Sequence, residues 1–142
     1  MIVKDIIKLL DDKYPFCYAE DYDNVGLIIG HQQNKVKGII VCLDAIECVI
    51  DEAIEKKCNV IVSFHPIIFE SLKKITNSNY VEKAVSKCIK NNISLISIHT
   101  AMDNSIDGVN KIICDKLKLN KTRILIPKKG TIKKLTTYVP ER

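Results

Sequence analysis

Four short apolar runs punctuate the chain: "VGLIIG" at 25–30, "VKGIIVCL" at 36–43, "NVIVS" at 59–63 and "ISLISI" at 93–98. Each is too short for a helix, and together they read as strands with both faces covered. Between and around them the apolar spacing changes to a helical period. It groups Val3, Ile6, Ile7 and Leu10 over 3–13, and Ile46, Val49, Ile50, Ala53 and Ile54 over 46–57. It does the same for Val81, Ala84, Val85, Cys88 and Ile89 over 79–90, and for Val109, Ile112, Ile113 and Leu117 over 107–117. The segment "YPFCYAEDYDN" reads as a loop, and "RILIP", "KKG" and "LTTYV" at the end read as a hairpin or a sheet extension. Strands alternating with amphipathic helices predict an α/β fold: a mostly parallel sheet with helices on both faces.

The 142 residues suit a single domain spanning 1–142, and 46% hydrophobic residues are enough for one core. Residues 1–50 carry five Lys against eight Asp/Glu, a balance of −3, while residues 101–142 carry ten Lys/Arg against four Asp/Glu, a balance of +6. That asymmetry fits a solvated face. With no Trp and no recognisable RNA- or DNA-binding motif, a nucleic-acid partner is not expected. No apolar run reaches the ~18 residues of a membrane span, and the first residues lack a signal-peptide core, so the expectation is a cytoplasmic protein with no membrane partner. Its six cysteines, Cys17, Cys42, Cys48, Cys58, Cys88 and Cys114, form no C-x-x-C pair. They are expected to be reduced, buried and inert.

In a parallel sheet, ligands gather beyond the carboxyl ends of the strands. Three runs end there on polar residues: the first at Asp44, the second at Ser63, Phe64 and His65, the third at His99, Thr100 and Asp103. Topology therefore brings Asp44, His65, His99 and Asp103 to one edge, with two of the three histidines among them. Imidazole and carboxylate form the ligand set of Zn, Fe, Mn and mixed hydrolytic centres, where a bound water can ionise near neutral pH. Pro66 restricts the backbone of His65 to extended geometry and stiffens that loop. Each residue also has a plainer reading: His65 bonding a carbonyl, His99 orienting a neighbour, Asp103 capping the helix at 107. His31, in the polar turn "GHQQNK", reads as exposed loop, and Gly26 and Gly30 carry no nucleotide fingerprint.

The segments "AEDYDNVGLIIG", "VSFHPIIF" and "HTAMDNSIDGVN", followed by "KLTTYVPE", occur in the order found in the Nif-three-like family. These are dinuclear metal-centre proteins, also known as GTP cyclohydrolase I type two homologues, with patterns close to W-D-N-x-G-L-x-x-G, H-H-P-L-x-F and H-T-x-x-D-x-x-x-x-G-x-N. The chain resembles the N-terminal half of that family, and the resemblance implies an α/β fold of two similar halves, with this chain lacking the second. It implies a homo-oligomer, commonly a hexamer, with two divalent metal ions per subunit, the metal (Zn, Fe, Mn or Mg) being left open. His65 and Asp103 match the ligands of one metal, while His99 and Asp44 stand as supporting or additional groups. Phe64 occupies the position of the histidine that binds the second metal, so that position is degenerate, and Tyr22 stands where the family has Trp. The implied function is a metal-dependent hydrolase acting on a nucleotide-like small molecule. The alternative is a non-catalytic binding or scaffold protein that keeps the fold with an impaired metal site.

Overall fold

A computed structural model describes residues 1–127 and Thr137. The elements are α1 (Val3–Lys13), β1 (Gly26–Ile29), β2 (Ile39–Cys42), α2 (Glu47–Glu55), β3 (Val60–Ser63), α3 (Tyr80–Lys90), β4 (Ser94–Ser97), α4 (His99–Asp103) and α5 (Val109–Lys116), with a short 3-10 turn at Phe16–Tyr18. The strands form one sheet in the order β1-β4-β3-β2. β2 pairs parallel with β3, and β3 parallel with β4, while β1 runs antiparallel to β4. The mostly parallel α/β architecture expected from the alternating pattern is therefore present, with one reversed edge.

Side chains on a strand alternate between the two faces of the sheet. Ile61 and Leu95 point to one face, where Ile50 and Ala53 of α2 and Ala84, Val85 and Cys88 of α3 close over them. Val60, Val62 and Ile96 point to the other and meet Val3 and Ile6 of α1. β3 and β4 are buried at all four positions, as central strands should be. β2 is not the buried strand that its sequence suggests. It lies at an edge, and Val41 (78% exposed), Leu43 and Ile39 remain open. Their register partners on β3, Val60 and Val62, lie under α1, which stops short of this strip.

Helix starts are set by local chemistry. At α1 the Ile2 amide donates to Asp5 Oδ2 at 2.8 Å, satisfying one of the donors a helix leaves orphaned. At α3, Asn79 Oδ1 accepts the Glu82 amide at 2.9 Å. The buried Glu82 carboxylate in turn collects the amides and hydroxyls of Thr76 and Ser78 and the Asn79 side-chain amide. Asn79 is thus a side-chain N-cap, and Glu82 is the hub that ties down the turn before the helix.

Several expectations are corrected. The helix expected over 107–117 is present as α5, Val109–Lys116, but Ile112, Ile113 and the C-cap Leu117 are exposed rather than packed, and a short α4, not anticipated, precedes it. Residues 123–127, "RILIP", form no strand, and Ile124, Leu125 and Ile126 are exposed; the proposed "KKG" turn and "LTTYV" strand lie outside the described residues apart from Thr137. The cysteines are all free, but only Cys88 is buried, and Cys17 and Cys48 are exposed. Burial raises the Cys88 thiol to about 12, and burial followed by the Asp44 charge raises Cys42 to about 11, so both stay protonated. Among the described residues no helix is long and apolar enough to cross a membrane.

Two predictions follow from this packing. Ile61→Ala, at a fully buried site, should cost about 2–5 kcal/mol in denaturant unfolding, whereas Val41→Ala on the open strip should change stability by less than about 0.5 kcal/mol. Hydrogen bonds from the Ser78 and Thr76 amides and then the Ser78 hydroxyl lower the Glu82 carboxyl from 4.5 to about 2. A depressed carboxyl stabilises the fold above its unfolded value and loses that contribution as pH falls through the folded value. Acid unfolding of the wild type should therefore steepen between pH 4.5 and about 2, and Glu82→Gln should remove that component while lowering stability at neutral pH.

Candidate functional site

The parallel ladder ends level. Cys42, Ser63 and Ser97 are register partners across β2, β3 and β4, so the chain leaves all three strands at one edge. The hydrogen bonding continues beyond the strands. Phe64 N donates to Cys42 O, His65 N to Leu43 O, and His99 N to Phe64 O, all near 3.0 Å. Two buried serines lock the turn, Ser63 Oγ donating to His65 O and Ser97 Oγ to Phe64 O, both at 2.8 Å.

This scaffold clusters three rings. The Phe64 ring lies 5.0 Å from His65 and 5.4 Å from His99, and the two histidines are 5.4 Å apart, all edge-on. Each histidine is held through Nδ1 by a carboxylate. His65 Nδ1 is 2.8 Å from Asp44 Oδ1, and His99 Nδ1 is 2.9 Å from Asp23 Oδ1. Carboxylates in this position fix ring orientation and tautomer in many metal and proton-transfer sites. The two pairs differ in setting. Asp44 and His65 are about half exposed, whereas the Asp23 carboxylate is completely buried.

Asp103 ends α4 and shares this electrostatic field. Burial pushes its carboxyl above the ordinary range; His99 and His65 pull it down, and Asp23 pushes it up. Asp103 is not the cap of α5, whose N-cap is Gly108. Its carbonyl accepts from Asn110 Nδ2 at 2.8 Å. A Cβ on Gly108 would fall 1.7 Å from Met102 O, so only glycine lets the chain turn back this closely beneath α4. Beside His65 and Asp44 opens a cleft of about 450 Å³, walled by Ile46, Phe69 and Tyr80, with Glu70 on its lining and no Lys or Arg. His31 is exposed, away from the cluster, its Nδ1 accepting from the Gln33 amide.

The sequence matches the family described as Duf34/NIF3 (NGG1p interacting factor 3) over residues 1–140. The chain belongs to the Duf34/NIF3 family. It is 40% identical over 131 residues to a GTP cyclohydrolase 1 type 2 homolog of Clostridium acetobutylicum, covering 92% of this chain and 49% of that protein. The like-named protein of Bacillus subtilis is 39% identical over 139 residues, covering 97% of this chain and 37% of that one. A crystal structure of a Bacillus cereus protein related to NIF3 superposes with a TM-score of 0.84 at 38% identity, over 90% of this chain and 36% of that chain. The chain thus spans between a third and a half of the length of these relatives.

Within this Duf34/NIF3 chain, Asp44, His65, His99 and Asp103 do converge at one sheet edge, as the strand-end argument requires. Asp23 is the residue that the sequence argument missed. It lies in the "DYDN" stretch just ahead of β1, and a parallel β1 would have placed it at the far edge of the sheet. The antiparallel pairing of Gly26 with Ser97 brings it to the near one. Among the described residues, no group of three His, Cys, Asp or Glu side chains is arranged to hold a metal ion. A closed zinc site uses four ligands and a catalytic one three from the protein. The described donors therefore fall short of a complete centre, and the Phe64 ring packed beside both imidazoles adds no ligand atom.

Gly108→Ala tests how tightly the third motif is wound. Overpacking at a contact this close should cost on the order of 1–3 kcal/mol or more, visible as a lowered thermal midpoint, with α4 and α5 amides losing hydrogen-exchange protection first.

Proposed function

We propose that this Duf34/NIF3 chain is a divalent-metal-binding protein that contributes His65 and Asp103 to a single ion and has lost the second metal position at Phe64. The observation that carries the reading is the Asp44–His65 pair. With Nδ1 engaged at 2.8 Å, His65 keeps Nε2 for a metal, the arrangement usual for a ligating imidazole. The remaining ligands would come from another subunit or from the portion of the longer relatives that this chain does not span. Exposed Ile39 and Val41 on β2 with Leu43 just after it, and Ile112 and Ile113 on α5 with Leu117 at its C-cap, support burial in a homo-oligomer, and a cytoplasmic location accompanies the proposal.

A completed centre would supply a Lewis acid and an ionised water, the chemistry of a metal-dependent hydrolase. The neighbouring cleft suits a nucleotide-like small molecule only in part. Phe69 and Tyr80 offer a wall for a base-like ring, but Asp44 and Glu70 repel phosphate and the lining has no cation to offset them, so phosphate charge would have to be met by the metal. The second reading, a non-catalytic binding protein, is favoured by the absence of a three-ligand group among the described residues.

Elemental analysis and titration with Zn²⁺ or Mn²⁺ distinguish these readings. The wild type should hold about one ion or less per chain, because two protein ligands fall below the three of a catalytic site. His65→Ala and Asp103→Asn should abolish binding, and Asp44→Ala should weaken it roughly 10–100-fold. Phe64→His should add a second ion. Two tightly bound ions per wild-type chain would sink the proposal, and an ion that survives His65→Ala would place the site elsewhere.

A further inference from the structure

We infer that Asp23 is a positioning residue that fixes His99 as the Nδ1–H tautomer and so leaves His99 Nε2 as a hydrogen-bond acceptor at the candidate site. Two of the groups around Asp23 can only donate. The backbone amides of Asn24 (2.7 Å, to Oδ1) and Thr100 (3.0 Å, to Oδ2) have no acceptor role available. The Thr100 hydroxyl accepts the Glu20 amide at 3.0 Å, and it turns its own proton to Asp23 Oδ2. Asp23 therefore receives hydrogen bonds on both oxygens from groups that hold it as an acceptor, inside a pocket with no exposed carboxylate surface. A carboxylate in that state has no proton to offer His99, so the fourth contact, at 2.9 Å, requires the hydrogen on His99 Nδ1.

The fold makes this arrangement hard to relax. His99 is the first residue of α4, with its amide bonded to Phe64 O, and Thr100 follows at once, so the imidazole and the Thr100 donors reach Asp23 from one rigid turn. On the other side, Asn24 Nδ2 donates to Ile68 O at 2.7 Å, tying the Asp23 segment to the loop after His65. The His99 ring is then confined between Phe64 (5.4 Å) and Phe69 (6.3 Å), with His65 at 5.4 Å. Asp44 and Asp23 thus each hold one histidine by Nδ1, but only the Asp23 carboxylate is shielded from water and fixed by backbone donors that cannot reverse. The ligand class such an acceptor takes is a water or a small molecule presenting an O–H or N–H hydrogen. An amide in place of the carboxylate reverses the logic, as an asparagine does at the orienting position of a serine-protease triad. With its oxygen kept toward the two Thr100 donors, the NH₂ group takes the place of Oδ1, where it gives up the Asn24 amide bond, faces His99 Nδ1 and makes it accept.

The inference deepens the metal-site reading and rests on it for the use of Nε2, but the tautomer is read without metal. The test is two-dimensional ¹⁵N–¹H NMR of the imidazoles in the full chain, ¹⁵N-labelled at histidine, stripped of metal with a chelator and held at about pH 8, where an ordinary imidazole is neutral. With only three histidines in the chain, His31→Gln and His99→Gln complete the assignment. The expected result is a wild-type His99 protonated at Nδ1 and bare at Nε2, shifted to the Nε2–H form in Asp23→Asn with the amide spectrum otherwise retained. A wild-type His99 protonated at Nε2, alone or together with Nδ1, would overturn the inference, as would a folded Asp23→Asn that leaves the tautomer unchanged. If Asp23→Asn does not fold, the wild-type spectrum alone decides. Loss of metal binding in His65→Ala, or its absence in the wild type, bears on the metal reading and leaves this result standing.

Discussion

The level ending of three parallel strands is the constraint from which the site follows. Because Cys42, Ser63 and Ser97 share one register, the next residues of each strand emerge side by side, and whatever chemistry they carry is forced together. Hydrogen bonding does not stop at the last ladder pair. Phe64, His65 and His99 extend it through their amides, so the three rings are placed by backbone geometry as much as by their own packing. Asp44 and His65, which are 21 residues apart in sequence, can meet at 2.8 Å only because β2 and β3 deliver them to the same level.

The reversed edge strand adds what the parallel core cannot. A βαβ arrangement sends every strand's incoming segment to the edge opposite its outgoing one. β1 runs against β4, so its incoming segment arrives at the functional edge, with Asp23 at its head. The result is a site with two carboxylate–histidine pairs of different character, one open to solvent beside a cleft and one sealed beneath the rings. Phe64 packs against both imidazoles and completes the ring cluster without adding a polar atom.

The sequence was legible where both faces of an element are covered. The continuous apolar runs of β3 and β4 mark central strands, and Val60, Ile61, Leu95 and Ile96 are all fully buried. It misled at the margins. "VKGIIVCL" has the composition of a central strand, yet Val41 is open because an edge position and the limited reach of α1 decide burial, and neither is written in the strand itself. The same holds for α5, whose apolar period is real but whose apolar face stays exposed. Asp44, His65, His99 and Asp103 were readable as a group because strand ends in a parallel sheet need no knowledge of pairing order. Asp23 was not, since its place depends on the direction in which β1 pairs, which is settled by tertiary contacts far away in the chain.

The link between Asp23 and His99 closes a loop of 76 residues. Contacts of that span form slowly, because the chain must lose the entropy of closure before the contact returns any stability. The helix α4 and the turn after β3 can be built from nearer neighbours, but the buried carboxylate reaches His99 only once β1 has docked on β4. Order at His99 is therefore a marker of completed folding. Docking β1 therefore does two things at once: it brings Leu27 and Ile29 into the two halves of the core, and it sets the imidazole of His99 against its carboxylate.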